Sequence, residues 1–197
     1  MKIDLFLRSG KIQSKETMLI FFQKNWFHIL IWVSMLVYLI LAPNLYVQFI
    51  LKRGKPIQGV EGRPVDSNQI KFTIDGLSFH TVEGQDIYIL SGWAFSVLDR
   101  NVSPDMYDRA IVLASDTKTY FFPIETVYRK DVQDTYKDLS MNLVGSGFKV
   151  FISKDVIQQG EYRIGIIFKN SHTGLAYFSD KPARYIVRSP NRLSYSE

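Results

Sequence analysis

The chain of 197 residues contains no cysteine. No disulfide framework and no thiolate metal site can exist in it, and the redox compartment leaves no trace. Histidine is nearly absent: His28, His80 and His172 are far apart, and none forms an i, i+4 metal pair. GxSxG, GxxxxGK[ST] and HExxH are all missing, so no nucleophile elbow, phosphate loop or zincin helix is written here. Nothing in these patterns asks for a cofactor or a metal. "GSG" at 145–147 precedes a strand-like run rather than a helix and reads as a turn, as does Ser171-His172 in "KNSHTG". Paired carboxylates for glycosidic chemistry are represented only by residue type, in Asp99, Asp105, Asp108, Asp116 and Glu125. These residues give no grounds for reading the chain as an enzyme.

A further absence is local. Between Asn25 and Leu51 there is no Lys, Arg, Asp or Glu. About 20 apolar residues cross a bilayer as a helix, so 26–51 is expected to be a transmembrane span. A cleaved signal peptide would have a shorter apolar region and a small-residue cleavage site, and "PNLYVQFILKRG" after Ala42 has none. Trp26, Trp32, Tyr38 and Tyr46 suit the wet ends of a span, or else Trp32 and Tyr38 face lipid or a partner, and Pro43 can kink the helix. Residues 1–25 form an N-terminal segment whose apolar core, Met18–Phe22, either lies in the membrane interface or extends the helix. Five basic residues precede the span and four follow it before residue 65, a slight bias towards a cytoplasmic N-terminus and a domain outside the cell membrane. His28 lies inside the span, where a polar ring contacts either headgroups or a partner helix.

The net charge of +5 is concentrated at the start. Residues 1–25 hold five basic and two acidic residues, and the remaining 172 hold 19 and 17. A nearly neutral domain is a poor phosphate-backbone binder, which excludes nucleic acid as the natural partner. The basic N-terminal tail suits anionic lipid headgroups.

Residues 52–68, with three Gly and two Pro, read as a stalk that holds the domain away from the bilayer. From 69 the hydrophobic period becomes two. "QIKFTID", "DIYILSGWAFSV", "RAIVLAS", "KTYFFPI", "GFKVFIS", "EYRIGIIFK", "LAYFS" and "ARYIVRS" are short alternating runs separated by Gly, Asp, Asn and Ser. That pattern predicts a mainly β domain over 69–189, an antiparallel immunoglobulin-like β-sandwich, with 190–197 as a tail. The segment 98–109 reads as a long polar loop. Its Tyr107 is a candidate ring for stacking on a sugar or anchoring a protein, or else it packs over the sandwich edge.

One stretch breaks the strand pattern. In "VYRKDVQDTYKDL" (127–139), Val132, Tyr136 and Leu139 share one helical face. Asp131 is expected to cap that helix, Asp134 to complement its dipole, and Arg129 to meet a carboxylate or carbonyls. This density of charge is thereby explained as scaffold.

"SGWAF" (91–95), "IVLAS…TYFF" (111–122), "YRKDV" (128–132), "SGF" (146–148) and "GEYRIGI" (160–166) occur in this order. Over roughly 85–180 they resemble a β-sandwich module attached to bacterial membrane glycosyltransferases and other surface-polysaccharide proteins. The resemblance implies that Trp93 is a core residue and that Arg129 and Asp131 fix a loop and helix start. It also implies that Gly147 and Phe148 open a central strand and that Gly160 sits in the turn before Tyr162. None of these roles is catalytic. The usual hosts carry many transmembrane helices and a catalytic loop, whereas this chain has a single apolar run. The implied role is therefore an accessory one, with a membrane glycosyltransferase or similar protein as partner. Two other roles stay open, a carbohydrate-binding module that grips the glycan itself and a glycan-active enzyme.

Overall fold

The period-two runs become strands because alternate side chains point to opposite faces, so each run supplies one face to a shared core. The computed structural model describes residues 3–59, 61–66 and 68–196, with side chains from Trp26 onward. The elements are α1 (Ile3–Arg53), β1 (Arg63–Pro64), β2 (Ile70–Val82), β3 (Gln85–Ser96), β4 (Tyr107–Ala114), β5 (Thr119–Pro123) and β6 (Glu125–Val127). There follow α2 (Lys130–Thr135), β7 (Gly147–Ser153), β8 (Gly160–Asn170), β9 (Ala176–Ser179), β10 (Tyr185–Arg188) and β11 (Leu193–Ser196).

The chain divides into two compact units, Met1–Tyr46 and Val47–Glu197. The first is helical. The most apolar window within Trp26–Arg53 of α1 has a mean hydropathy of 2.0 and is not buried by the rest of the protein. The 28 residues of the whole stretch reach about 42 Å at 1.5 Å per residue, more than the roughly 30 Å of a hydrocarbon core. It is long and apolar enough to cross a membrane, and the helix continues through Pro43.

The second unit is a sandwich of two sheets. One sheet has the order β2-β3-β7-β6. In the other, β4 pairs with β5 and, along its whole length, with residues 163–170 of β8. The far edge of β8 is shared, its first half taking β10 and its second half β9. Lettered along the chain from β2 as A, B, C, C′, D, E, F and G, the sheets are A-B-E-D and C′-C-F-G. That is the strand order of immunoglobulin-like sandwiches. Tyr162, near the start of β8, donates from its hydroxyl to the Gln158 carbonyl (3.0 Å). This is the tyrosine corner expected where such a chain crosses from one sheet to the other. The core between the sheets is built on Ile70, Phe72, Leu90, Ile111, Phe122, Phe148, Ile164 and Phe168, all nearly inaccessible.

Three features depart from the sequence expectations. First, residues 52–66 do not form a free stalk. The Gly54 carbonyl accepts from the Ser153 N–H, the Ile57 N–H donates to Phe121 and the Val65 N–H donates to Phe178. The segment runs along the outer face of the β8 sheet, from a bridge with β5 at Ile57 to the parallel pair β1–β9. Gly59 and Gly62 serve close approach there rather than flexibility. A Cβ on Gly59 would stand 2.3 Å from the Phe121 ring, and one on Gly62 would stand 2.9 Å from Ile167 Cδ1. Second, the C-terminal residues are not a loose tail, because Leu193–Ser196 form an edge strand on β10. Third, Tyr107 is not on a loop but opens β4, with its side chain buried.

Candidate functional site

The outer face of the β3 sheet is apolar and needs covering. At one end Ile87 and Phe151 pack with Ile50 from the last turns of α1, and Arg53 meets Glu125 at 3.2 Å. At the other end the stretch 130–143 folds back over the sheet. Val132, Met141 and Leu143 are buried against Phe95, with Trp93, Tyr136 and Leu139 around them. The three rings interlock: Trp93 stacks on Phe95 (5.7 Å), and Tyr136 meets both at 5.6 and 5.0 Å. The i, i+4, i+7 apolar face predicted for this stretch is thus the face that closes the sheet. Trp93 is placed differently from the expectation. It lies half-buried in this outer cluster, because β3 alternates and its inner face is taken by Tyr88, Leu90 and Ala94.

The charges of the stretch secure its edge. Arg129 donates from Nε and Nη2 to the two oxygens of Asp131 (2.8 and 2.6 Å) and from Nη1 to Asp75. Asp75 reaches it because a bulge between Ile74 and Gly76 leaves it as the extra residue of β2, and bulges re-aim side chains in this way. The Asp131 assignment is corrected here. Helix α2 begins two residues earlier, at Lys130, with Arg129 in the cap position and no side-chain cap. Arg129 takes up the carboxylate, lowering its pKa from the usual range to about 2, and the carboxylates raise the already high pKa of Arg129. Asp134 pairs with Lys130 on the exposed side, a contact of small value.

The glycines of the motif stretches are there because backbone and rings come too close for a side chain. A Cβ on Gly92 would lie 2.1 Å from the Thr73 carbonyl oxygen and 2.7 Å from the Phe148 ring. One on Gly147 would lie 2.5 Å from both Arg129 Cγ and the Val127 oxygen. In register, Trp93 faces Gly147 and Gly92 faces Phe148. Trp93, Arg129, Asp131, Gly147 and Phe148 are therefore brought together at one end of this sheet. Gly160 and Tyr162 belong to the other sheet, where Gly160 opens β8 with φ of 151°. His28 is exposed on α1, in contact with the Phe27 ring.

Sequence reasoning passed over Arg109. It points between the sheets with 7% exposure and meets no carboxylate directly. Nη2 donates to Thr126 Oγ1 (2.9 Å) and the Gly145 carbonyl (3.0 Å), and Nη1 to the Ala94 and Ser146 carbonyls (3.4 and 3.3 Å). Burial lowers its pKa to about 10, with Asp105 opposing the shift. The "GSG" turn thus holds two arginines, Arg109 through its carbonyls and Arg129 over Gly147. A basic residue inside an otherwise apolar run, "RAIVLA", was the available signal. Beside it, Tyr107 donates to Asp99 (2.8 Å), and burial followed by that carboxylate raises its pKa. Its ring packs edge-on against Phe168. Tyr107 is a core residue, not a ligand platform.

Among the described residues no group of three or more His, Asp or Glu could hold a metal ion. A concavity lies elsewhere: a polar groove of about 800 Å³ between the β4–β5 turn and the turn into β8. No protein-family model matches the chain, and neither a curated protein nor a solved structure does.

Proposed function

We propose that the protein is a single-pass accessory protein of the bacterial cell membrane, with a cytoplasmic N-terminus and the sandwich outside. There it binds or positions a membrane partner, such as a glycosyltransferase, in assembly of a cell-surface polysaccharide or glycoconjugate. The observation that supports this reading is the convergence of Trp93, Arg129, Asp131, Gly147 and Phe148. These residues carry the resemblance to sandwich modules of such enzymes, and here they lie beside one another at one end of the β3 sheet. The apolar surface of Trp26–Arg53 supplies the membrane attachment, and His28 is a polar contact on it for a partner helix.

The test is recovery of the tagged full chain from membranes in mild detergent, with partners identified by mass spectrometry. A polytopic glycan-assembly protein recovered in near-equal amount is expected. Exchange of residues 26–51 for a leucine-rich span should reduce that recovery. Recovery of the protein alone, from membranes in which it is abundant, would overturn the proposal.

A further inference from the structure

The groove beside β4 and β8 has walls that differ in character from the rest of the sandwich. One wall is the β4–β5 turn, Ser115–Thr117. The other is Gln158–Glu161, and Tyr185 of β10 and Phe178 of β9 contribute rings. Its volume, about 800 Å³, falls in the range of roughly 300–1,000 Å³ that small-molecule sites occupy.

We propose that this groove binds a saccharide, neutral or carrying a free amine. Three features carry the inference. The lining alternates side-chain amides, hydroxyls and carboxylates, groups that donate to and accept from sugar hydroxyls. Tyr185 and Phe178 offer apolar ring surface of the kind that stacks on a sugar face. The charge decides the subclass. Of the lining residues, Arg163 is the sole cation and is paired with Asp180 at 3.0 Å, so Asp116 and Glu161 are left without a cation in the groove. A phosphate- or uronate-bearing chain would meet uncompensated carboxylates, whereas an amine would be paired.

The walls are also held in place before any ligand arrives. Tyr162 donates to the Gln158 carbonyl, and the Gln158 N–H donates to the Tyr120 hydroxyl. The β4–β5 turn is closed by Ser115 and Lys118, bonded through both backbone and side chain. A rigid site loses less ordering entropy on binding. In this account Gly160 and Tyr162 of the "GEYRIGI" motif shape the groove wall.

The inference rests on the preceding proposal only for the compartment in which a glycan is met. Partner recovery and sugar binding can fail independently, so the two are distinguishable. The full chain in phosphatidylcholine nanodiscs is titrated with glucose and N-acetylglucosamine oligomers, glucosamine oligomers and, as the anionic probe, oligogalacturonate. Saturation-transfer NMR reports the contacts. Saturable binding of the neutral or amine-bearing series, with oligogalacturonate weaker, is expected. Tyr185→Ala should weaken it about tenfold, the equivalent of about 1.4 kcal/mol. Glu161→Gln should selectively weaken the amine-bearing series. Gln159→Trp, at an exposed position, fills the groove without disturbing the core and should abolish binding. Tyr128→Ala, exposed at the other end of the sandwich, should leave binding unchanged. Absence of saturable binding up to about 10 mM, preference for oligogalacturonate, or binding indifferent to Gln159→Trp would each overturn the proposal.

Discussion

Replacing Arg129 by alanine separates a scaffold from a working surface. Its guanidinium spans Asp75 on the β2 bulge and Asp131 in α2, and its stem lies on Gly147. The two partners are unequal: the Asp131 side chain is 63% exposed and that of Asp75 is 38% exposed. Solvent screening leaves the Asp131 pair the smaller share. The more sheltered, charge-assisted contact to Asp75, discounted for its own exposure, contributes about 1 kcal/mol. With the lost packing of the stem, Arg129→Ala should cost about 2 kcal/mol, which lowers the melting midpoint of a domain of this size by about 4–8 °C. Asp131→Asn should cost less than half as much. The double variant should be no less stable than Arg129→Ala alone, since a partner already removed cannot be removed again. Tryptophan fluorescence melts of the full chain in nanodiscs, with Trp93 stacked in the cluster, provide the assay. A wild-type midpoint for Arg129→Ala, together with lost partner recovery, would refute the structural account and make these charges a functional surface.

Acid should act on the same pair. Because the folded Asp131 carboxyl has a pKa near 2, below its unfolded value near 3.9, the unfolded chain takes up the proton first. The contribution of the pair is complete above about pH 5 and is lost as pH falls through 4 towards 2, a dependence that Asp131→Asn should flatten in acid melts. Arg109→Met keeps the volume but strands the Gly145 carbonyl and the Thr126 hydroxyl. It should cost about 2–4 kcal/mol after relief of the desolvated charge, and a midpoint at or above wild type would show that burial of the charge outweighs its bonds. Gly59→Ala with Gly62→Ala should lift residues 57–65 off the sheet and speed proteolysis there; unchanged cleavage would restore the flexible stalk. Ser196→Cys creates the only thiol in the chain, at an exposed position, and should react with an impermeant reagent on intact cells; labelling only after lysis would reverse the orientation.

The uncharged run to Leu51 and the alternation of Ile70-Phe72-Ile74 or Tyr162-Ile164-Ile166-Phe168 were enough to foresee an apolar helix followed by a sandwich. Both are periodic signals, and burial of one face leaves a single register. Tyr107 was misplaced because its polar neighbours mask a strand whose buried side is provided by Phe168, 61 residues away. The glycines of 52–66 look alike as sequence whether they free a chain or let it lie flat. Only the position of Phe121 and Ile167 beneath them decides. Likewise Arg129 announces a charge, but its partner Asp75 comes from a bulge 54 residues earlier, and the cap expected of Asp131 yields to that fork. The groove is assembled from turns that each look like ordinary solvated loops. Periodicity is a local property and survives in the sequence, whereas close approach, ion-pair choice and concavity belong to distant segments and exist only once the two sheets have packed.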